Sequence, residues 1–166
     1  MMYLNTCSHG LPRARTLHRM AAHLAREAEL GEARAAADVA PELAQAQKDA
    51  AEVMAGADAD VGFAFTTTQI WTHVLTCLAR PGARVLLCDW EWGAHLRFAE
   101  DLARRTGVVL DILPAQDALD PEAWAERIDG DLALIAAPLV TSVTGQMLPA
   151  AQIAALPRPE HTLTLL

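Results

Sequence analysis

The apolar positions along the chain fall into two regimes. From Pro12 to about Ala28, the residues Leu17, Met20, Ala21, Leu24 and Ala28 recur at helical spacing, and Gly31 supplies a stop. A second helix is expected from Pro41, a favoured first-turn residue, through Leu43, Ala46, Ala50, Val53 and Met54 to Gly56. Beyond it short apolar runs alternate with amphipathic stretches. "GFAF" precedes Thr68 to Ala79, "RVLLC" precedes Gly93 to Arg105, and "VVLDIL" precedes Pro121 to Ile128. "LALIAAP" leads through a loop to "PAAQIAAL", and the chain closes on "TLTLL". Strands separated by helices of this length predict right-handed crossovers and a largely parallel sheet with helices on both faces. "HTLTLL" reads as a central strand of that sheet, needing cover on both faces. The class is α/β with a helical arm in front, divided into residues 1–56 and 57–166.

Size and charge narrow the functions open to such a fold. A chain of 166 residues with 52% hydrophobic residues can bury a real core. A net charge of −8 with no Lys/Arg-rich run argues against a nucleic-acid partner. The longest apolar run, Leu132 to Val140, is broken by Pro138 and is far short of a membrane span. The opening "MMYLNTCSHG" has no basic region followed by an apolar stretch, so no signal peptide is expected and the reading is cytoplasmic. Cys7, Cys77 and Cys88 have neither framework nor zinc spacing, which suits reduced thiols.

The loops after the strands carry the candidate chemistry, since an open α/β sheet binds ligands at the carboxyl ends of its strands. In "FAFTTTQIW", Thr66, Thr67 and Thr68 bring hydroxyls and free backbone N–H groups to the positive end of a helix dipole, a place for a phosphate or carboxylate. Thr66 with Gln69 also fits a capping box that needs no ligand. In "DWEWGAH" a plain reading half-buries both tryptophans under a loop and leaves Asp89 and Glu91 solvated. Glu91 and His95, four apart, could share a metal, but lack a third ligand in register. Alternatively a ring in this loop offers a stacking platform for a flat cofactor. "APLVTSVTGQMLP" places Thr141, Ser142 and Thr144 at the same sheet edge, with Gly145 permitting a sharp turn before Pro149 opens a helix. No G-x-G-x-x-G or G-x-x-x-x-G-K-[ST] is present, which disfavours a dinucleotide or nucleoside triphosphate.

In order and spacing these loops resemble the class V aminotransferase family of pyridoxal-phosphate enzymes, which includes cysteine desulfurases, isopenicillin N epimerase-like proteins and the ergothioneine-pathway lyase. The resemblance runs from "YLNTCSHGLP" to the last residue. It implies part of the three-layer αβα sandwich of the fold-type-I transferases, with residues 57–166 as the first half of the cofactor-binding large domain. "TTTQIW" is similar to the segment that holds the cofactor phosphate, with Thr68 in the threonine position, Thr67 in place of alanine and Trp71 matching one branch's tryptophan. Trp92 stands where the family stacks a residue on the pyridine ring, leaving Trp90 to packing. Ser142 stands where the family commonly has an asparagine near the cofactor's phenolic oxygen. Ser8 and His9 fall in a loop that lines the substrate pocket, and Cys7 is not at the desulfurase nucleophile's position.

Family members continue into an aspartate that pairs with the pyridine nitrogen and a lysine that carries the cofactor as a Schiff base, both beyond Leu166. The sequence's single lysine, Lys48, sits beside Asp49 in an acidic helix and is a poor substitute for a desolvated amine. The resemblance therefore implies the amino-terminal portion of an enzyme acting on an amino acid as transaminase, lyase, desulfurase or epimerase. Such a portion is expected to be inactive alone and completed by a homodimer partner or a complementing carboxyl-terminal polypeptide. Two other readings of the same residues are a catalytically silent α/β module that binds a partner subunit, and a sugar-phosphate binder using the threonine cluster.

Overall fold

A computed structural model describes residues 2–4, 6, 10–54 and 59–166. The chain divides into two compact units, Met1–Phe63 and Ala64–Leu166. The first is an antiparallel pair of helices, α1 (Ala14–Leu30) and α2 (Glu32–Met54). Gly31 separates them alone: its φ of 80° suits a residue without Cβ, and its N–H closes α1 on the Glu27 carbonyl at 2.8 Å. Arg26 and Asp38 pair at 2.6 Å across the hairpin, and Arg19 pairs with Glu42.

One expectation fails in this unit, and one apolar face stays uncovered within it. Pro41 does not open a helix but lies inside α2. The lost bond would have gone to the carbonyl of Ala37, an exposed residue, and the surrounding alanines sustain the helix. The apolar stripe of α1 buries nothing within its unit either, with Leu17, Met20 and Leu24 all more than half exposed.

The second unit is a parallel sheet in the order β2 (Val109–Leu113), β1 (Arg84–Cys88), β3 (Leu132–Ala136), β4 (Leu163–Leu165). Helices α3 (Thr67–Leu78) and α4 (Gly93–Thr106) cover one face, α5 (Pro121–Ala125) and α6 (Ala150–Ala155) the other. Side chains alternate along β1, so Val85 and Leu87 meet Trp71, Leu75, Ala99 and Leu102, while Leu86 and Cys88 meet Trp124 and Ile153. On β3 the alternation slips. Arg84 pairs with Leu132 and Val85 with Leu134, a bulge that sends Leu132 and Leu134 to opposite faces although they are two residues apart. At the amino end of β1, Arg84 pairs with Asp129 at 2.9 Å, and Arg127 pairs with Asp111 of β2.

"GFAF" forms no strand. An extended run is a strand only when a neighbour takes its backbone hydrogen bonds, and none of the described strands does; Phe65 is 98% exposed. "HTLTLL" does form a strand, but at the sheet's edge rather than its centre, because β3 is its one partner among the described residues. The helix expected from Pro121 to Ile128 ends as α-helix at Ala125, capped at its start by the Asp120 side chain on the Glu122 N–H at 3.0 Å.

Candidate functional site

Parallel pairing brings the carboxyl ends of β1 and β3 to one edge of the sheet, so the loops Asp89–Trp92 and Pro138–Leu148 leave from the same end. The start of α3 joins this assembly through α4. His95 lies on the indole of Trp71 with ring centroids 4.5 Å apart and planes 9° from parallel.

At α3 the cap and the candidate anion site are different residues. Thr66 is the N-cap and accepts from the Gln69 N–H at 3.1 Å, while the Gln69 side-chain oxygen accepts from the Phe65 N–H at 3.1 Å. Thr67 and Thr68 are the first two helical residues, exposed and half-buried respectively. Their N–H groups precede any intrahelical acceptor and lie at the positive end of the dipole.

In the β1 loop the two tryptophans part company. Trp90 is partly buried against the core around Trp124, whereas Trp92 is 51% exposed at the N-cap of α4. Asp89 is exposed, but Glu91 is not solvated: it is 9% exposed. Its Oε1 accepts from the Trp92 N–H at 2.8 Å and meets His95 Nδ1 at 2.9 Å. The pair with helical i, i+4 spacing thus turns one atom of each side chain toward the other, and no group of three or more potential metal-binding side chains occurs among the described residues. His95 is 5% exposed, and both its Nε2 and Trp71 Nε1 are buried without a hydrogen-bond partner. Trp71 had been visible in the sequence only as a motif match. Its role as the floor under His95 depends on α3 and α4 packing side by side, which no local pattern states.

Cys88, at the carboxyl end of β1, is fully buried. Burial pushes its thiol up to about 11, with the neighbouring Glu91 and Asp89 carboxylates adding to the shift. It is therefore a thiol and not a nucleophilic thiolate at neutral pH.

In the β3 loop, Thr141 is buried and occupied by the turn. Its hydroxyl meets that of Thr144 and accepts from the Gln146 N–H at 3.1 Å, and Gly145, at φ 71°, returns its N–H to the Thr141 carbonyl at 3.0 Å. Ser142 is left exposed. Ser8 and His9 lie outside the described residues. Lys48 is exposed on α2, in the first unit.

Fold and loops together define a parallel α/β domain whose strand ends carry an uncommitted helix start and an exposed indole. The chain belongs to the class-V aminotransferase family, whose model matches residues 14–166. Its fold is that of C-DES: a lysine-to-alanine mutant with glycine covalently linked to the pyridoxal-phosphate cofactor superposes with a TM-score of 0.77 at 21% identity over 94% of this chain. The complex of the cystine C-S lyase C-DES with its product cysteine persulfide gives 0.76 at 21% identity over 93%. The cysteine desulfurase CsdA from Escherichia coli gives 0.55 at 24% identity over 68% of this chain and 31% of its own. The chain spans 43% of the length of either C-DES structure. No curated protein sequence matches it. No helix among the described residues is long and apolar enough to cross a membrane.

Proposed function

We propose that this chain supplies the cofactor-gripping part of a pyridoxal-phosphate enzyme that transforms an amino acid, as transaminase, lyase, desulfurase or epimerase. What carries the reading is the start of α3 within a family match that covers 14–166: the cap is satisfied by Thr66, so the hydroxyls and N–H groups of Thr67 and Thr68 are uncommitted. Thr67 and Thr68 hold the phosphate there, as anions are held at helix starts generally. Trp92 presents its exposed indole to the pyridine ring, and Ser142 stands on the side of the phenolic oxygen. Ser8 and His9 belong to the substrate side. The cofactor, when bound, supplies an electron sink for bonds at the amino acid's Cα.

The residues fit the phosphate and the ring, but no lysine lies between Ala64 and Leu166 to hold the cofactor covalently. That amine, and the acid facing the pyridine nitrogen, come from polypeptide outside these residues, since a second copy of them would bring no lysine but Lys48. The test is a titration of the protein with pyridoxal phosphate, read by equilibrium dialysis and followed by borohydride reduction and peptide mapping. Reversible binding that Thr67→Val with Thr68→Val weakens, and no reduced adduct on Lys48, is the expected result. Binding indifferent to the double substitution, or a stoichiometric adduct on Lys48, overturns it.

A further inference from the structure

We infer that Glu91 and His95 are positioning residues that brace Trp92 against the start of α3, so that the phosphate grip and the ring-stacking indole keep a fixed spacing. The inference rests on the reading of Trp92 as the stacking residue. Two hydrogen bonds and a ring stack lead from Trp92 to Trp71. Thr67 and Thr68 lie four and three residues before Trp71 on α3, which places them one turn away on the same side. Trp71 stacks flat on His95, His95 Nδ1 meets Glu91 Oε1 at 2.9 Å, and that same oxygen accepts the Trp92 N–H at 2.8 Å. Opposite a carboxylate, Nδ1 takes the donor's role.

Packing alone does not account for this arrangement. A carboxylate and an imidazole in a site this dry are costly unless paired, and two leucines would hold α4 to α3 at least as well. Leucines would offer no acceptor to the Trp92 amide and no preferred direction to the loop. Burial stiffens the brace, since Glu91 and His95 are 9% and 5% exposed in a closely packed interior. The two residues do not contact a ligand in this arrangement; they act through Trp92.

The test uses the protein labelled with 5-fluorotryptophan, whose four indoles, Trp71, Trp90, Trp92 and Trp124, give fluorine resonances assigned by single replacements with phenylalanine. His95→Phe keeps an aromatic ring on Trp71 but removes the bond to Glu91; His95→Asn restores a donor at the same place. With His95→Phe the Trp92 resonance should shift or broaden in the cofactor-free protein, and pyridoxal phosphate binding should weaken about tenfold, the size set by one hydrogen bond to a charged group. With His95→Asn both should return most of the way. A Trp92 resonance that stays in place under His95→Phe while that of Trp71 moves overturns the brace. Should His95→Phe not fold, Glu91→Ala and its rescue Glu91→Gln read the same bond from the other end, and an unmoved Trp92 resonance in Glu91→Ala again overturns it. If the unaltered protein binds no pyridoxal phosphate yet Trp92 responds to these changes, the stacking reading fails and the brace stands.

Discussion

The imidazole of His95 lies parallel to the indole of Trp71, 4.5 Å between centroids, and it is this contact that joins the helix start of α3 to the loop after β1. Both rings are buried, and the Trp71 Nε1 has no hydrogen-bond partner. Trp71 therefore contributes area and shape rather than a bond.

That difference separates two buried tryptophans. Trp71→Phe should cost less than about 1.5 kcal/mol, because the smaller ring still stacks and no hydrogen bond is lost. Trp124→Phe should cost more, since Trp124 Nε1 donates to the Ala118 carbonyl at 3.0 Å in the core and its removal orphans that carbonyl. Urea unfolding of the two variants gives the order, and a larger loss for Trp71→Phe contradicts it.

The three threonines at α3 should divide between stability and binding. Thr66→Ala removes the cap and should destabilise the protein by about 0.5–2 kcal/mol while leaving cofactor affinity in place. Thr67→Val and Thr68→Val should leave the melting temperature nearly unchanged and weaken pyridoxal phosphate binding by about 0.5–3 kcal/mol for each bond lost. Thermal unfolding and dialysis on the same three variants decide whether the division holds.

Trp90 and Trp92 should separate in the same way. Trp90 packs against the core on the α5 side, so Trp90→Ala should lower stability. Trp92 is half exposed; Trp92→Ala should leave stability almost untouched, loosen the cofactor by about 0.5–1.5 kcal/mol beyond lost area, and be rescued by Trp92→Tyr. A larger loss of cofactor with Trp90→Ala would exchange the two roles.

Cys88 should be silent toward alkylating reagents at neutral pH, while exposed Cys77 reacts. On a Cys7→Ser background, mass mapping after brief alkylation should find label on Cys77 alone. The raised thiol also has a linkage consequence. Between the ordinary value of 9.0 and about 11 the unfolded chain has released this proton and the folded chain has not, so stability should fall as pH climbs through that window. Cys88→Ala should flatten that part of the stability profile, and an identical slope in the two proteins would assign it to other groups.

The pattern of the sequence reached far into the second unit. The strands β1, β2 and β3 are apolar runs bounded by turn residues, α4 stops at Gly107 with φ 76°, and the Thr66–Gln69 cap forms as its spacing implies. These are local devices, in which the residues that decide the outcome lie within a turn or two of one another. The family was legible for a related reason, since its segments recur in fixed order along the chain and the family model matches nearly the same span.

What local pattern could not supply was partnership. "GFAF" has the composition of a strand, but a strand exists only where another backbone accepts its bonds, and Pro41 reads as a helix start until it is found inside a helix whose residue one turn earlier, Ala37, is exposed. Glu91 is polar and follows a strand, so its sequence context suggests water. Its burial arises because His95, one helical turn later, is itself covered by Trp71 from a different helix. Hydrophobic periodicity and capping, which act over a few residues, were determined by the sequence alone. The pairing of distant backbones and the burial of a charged pair were decided only by the tertiary structure, because each depends on a surface that residues far apart in the chain create together.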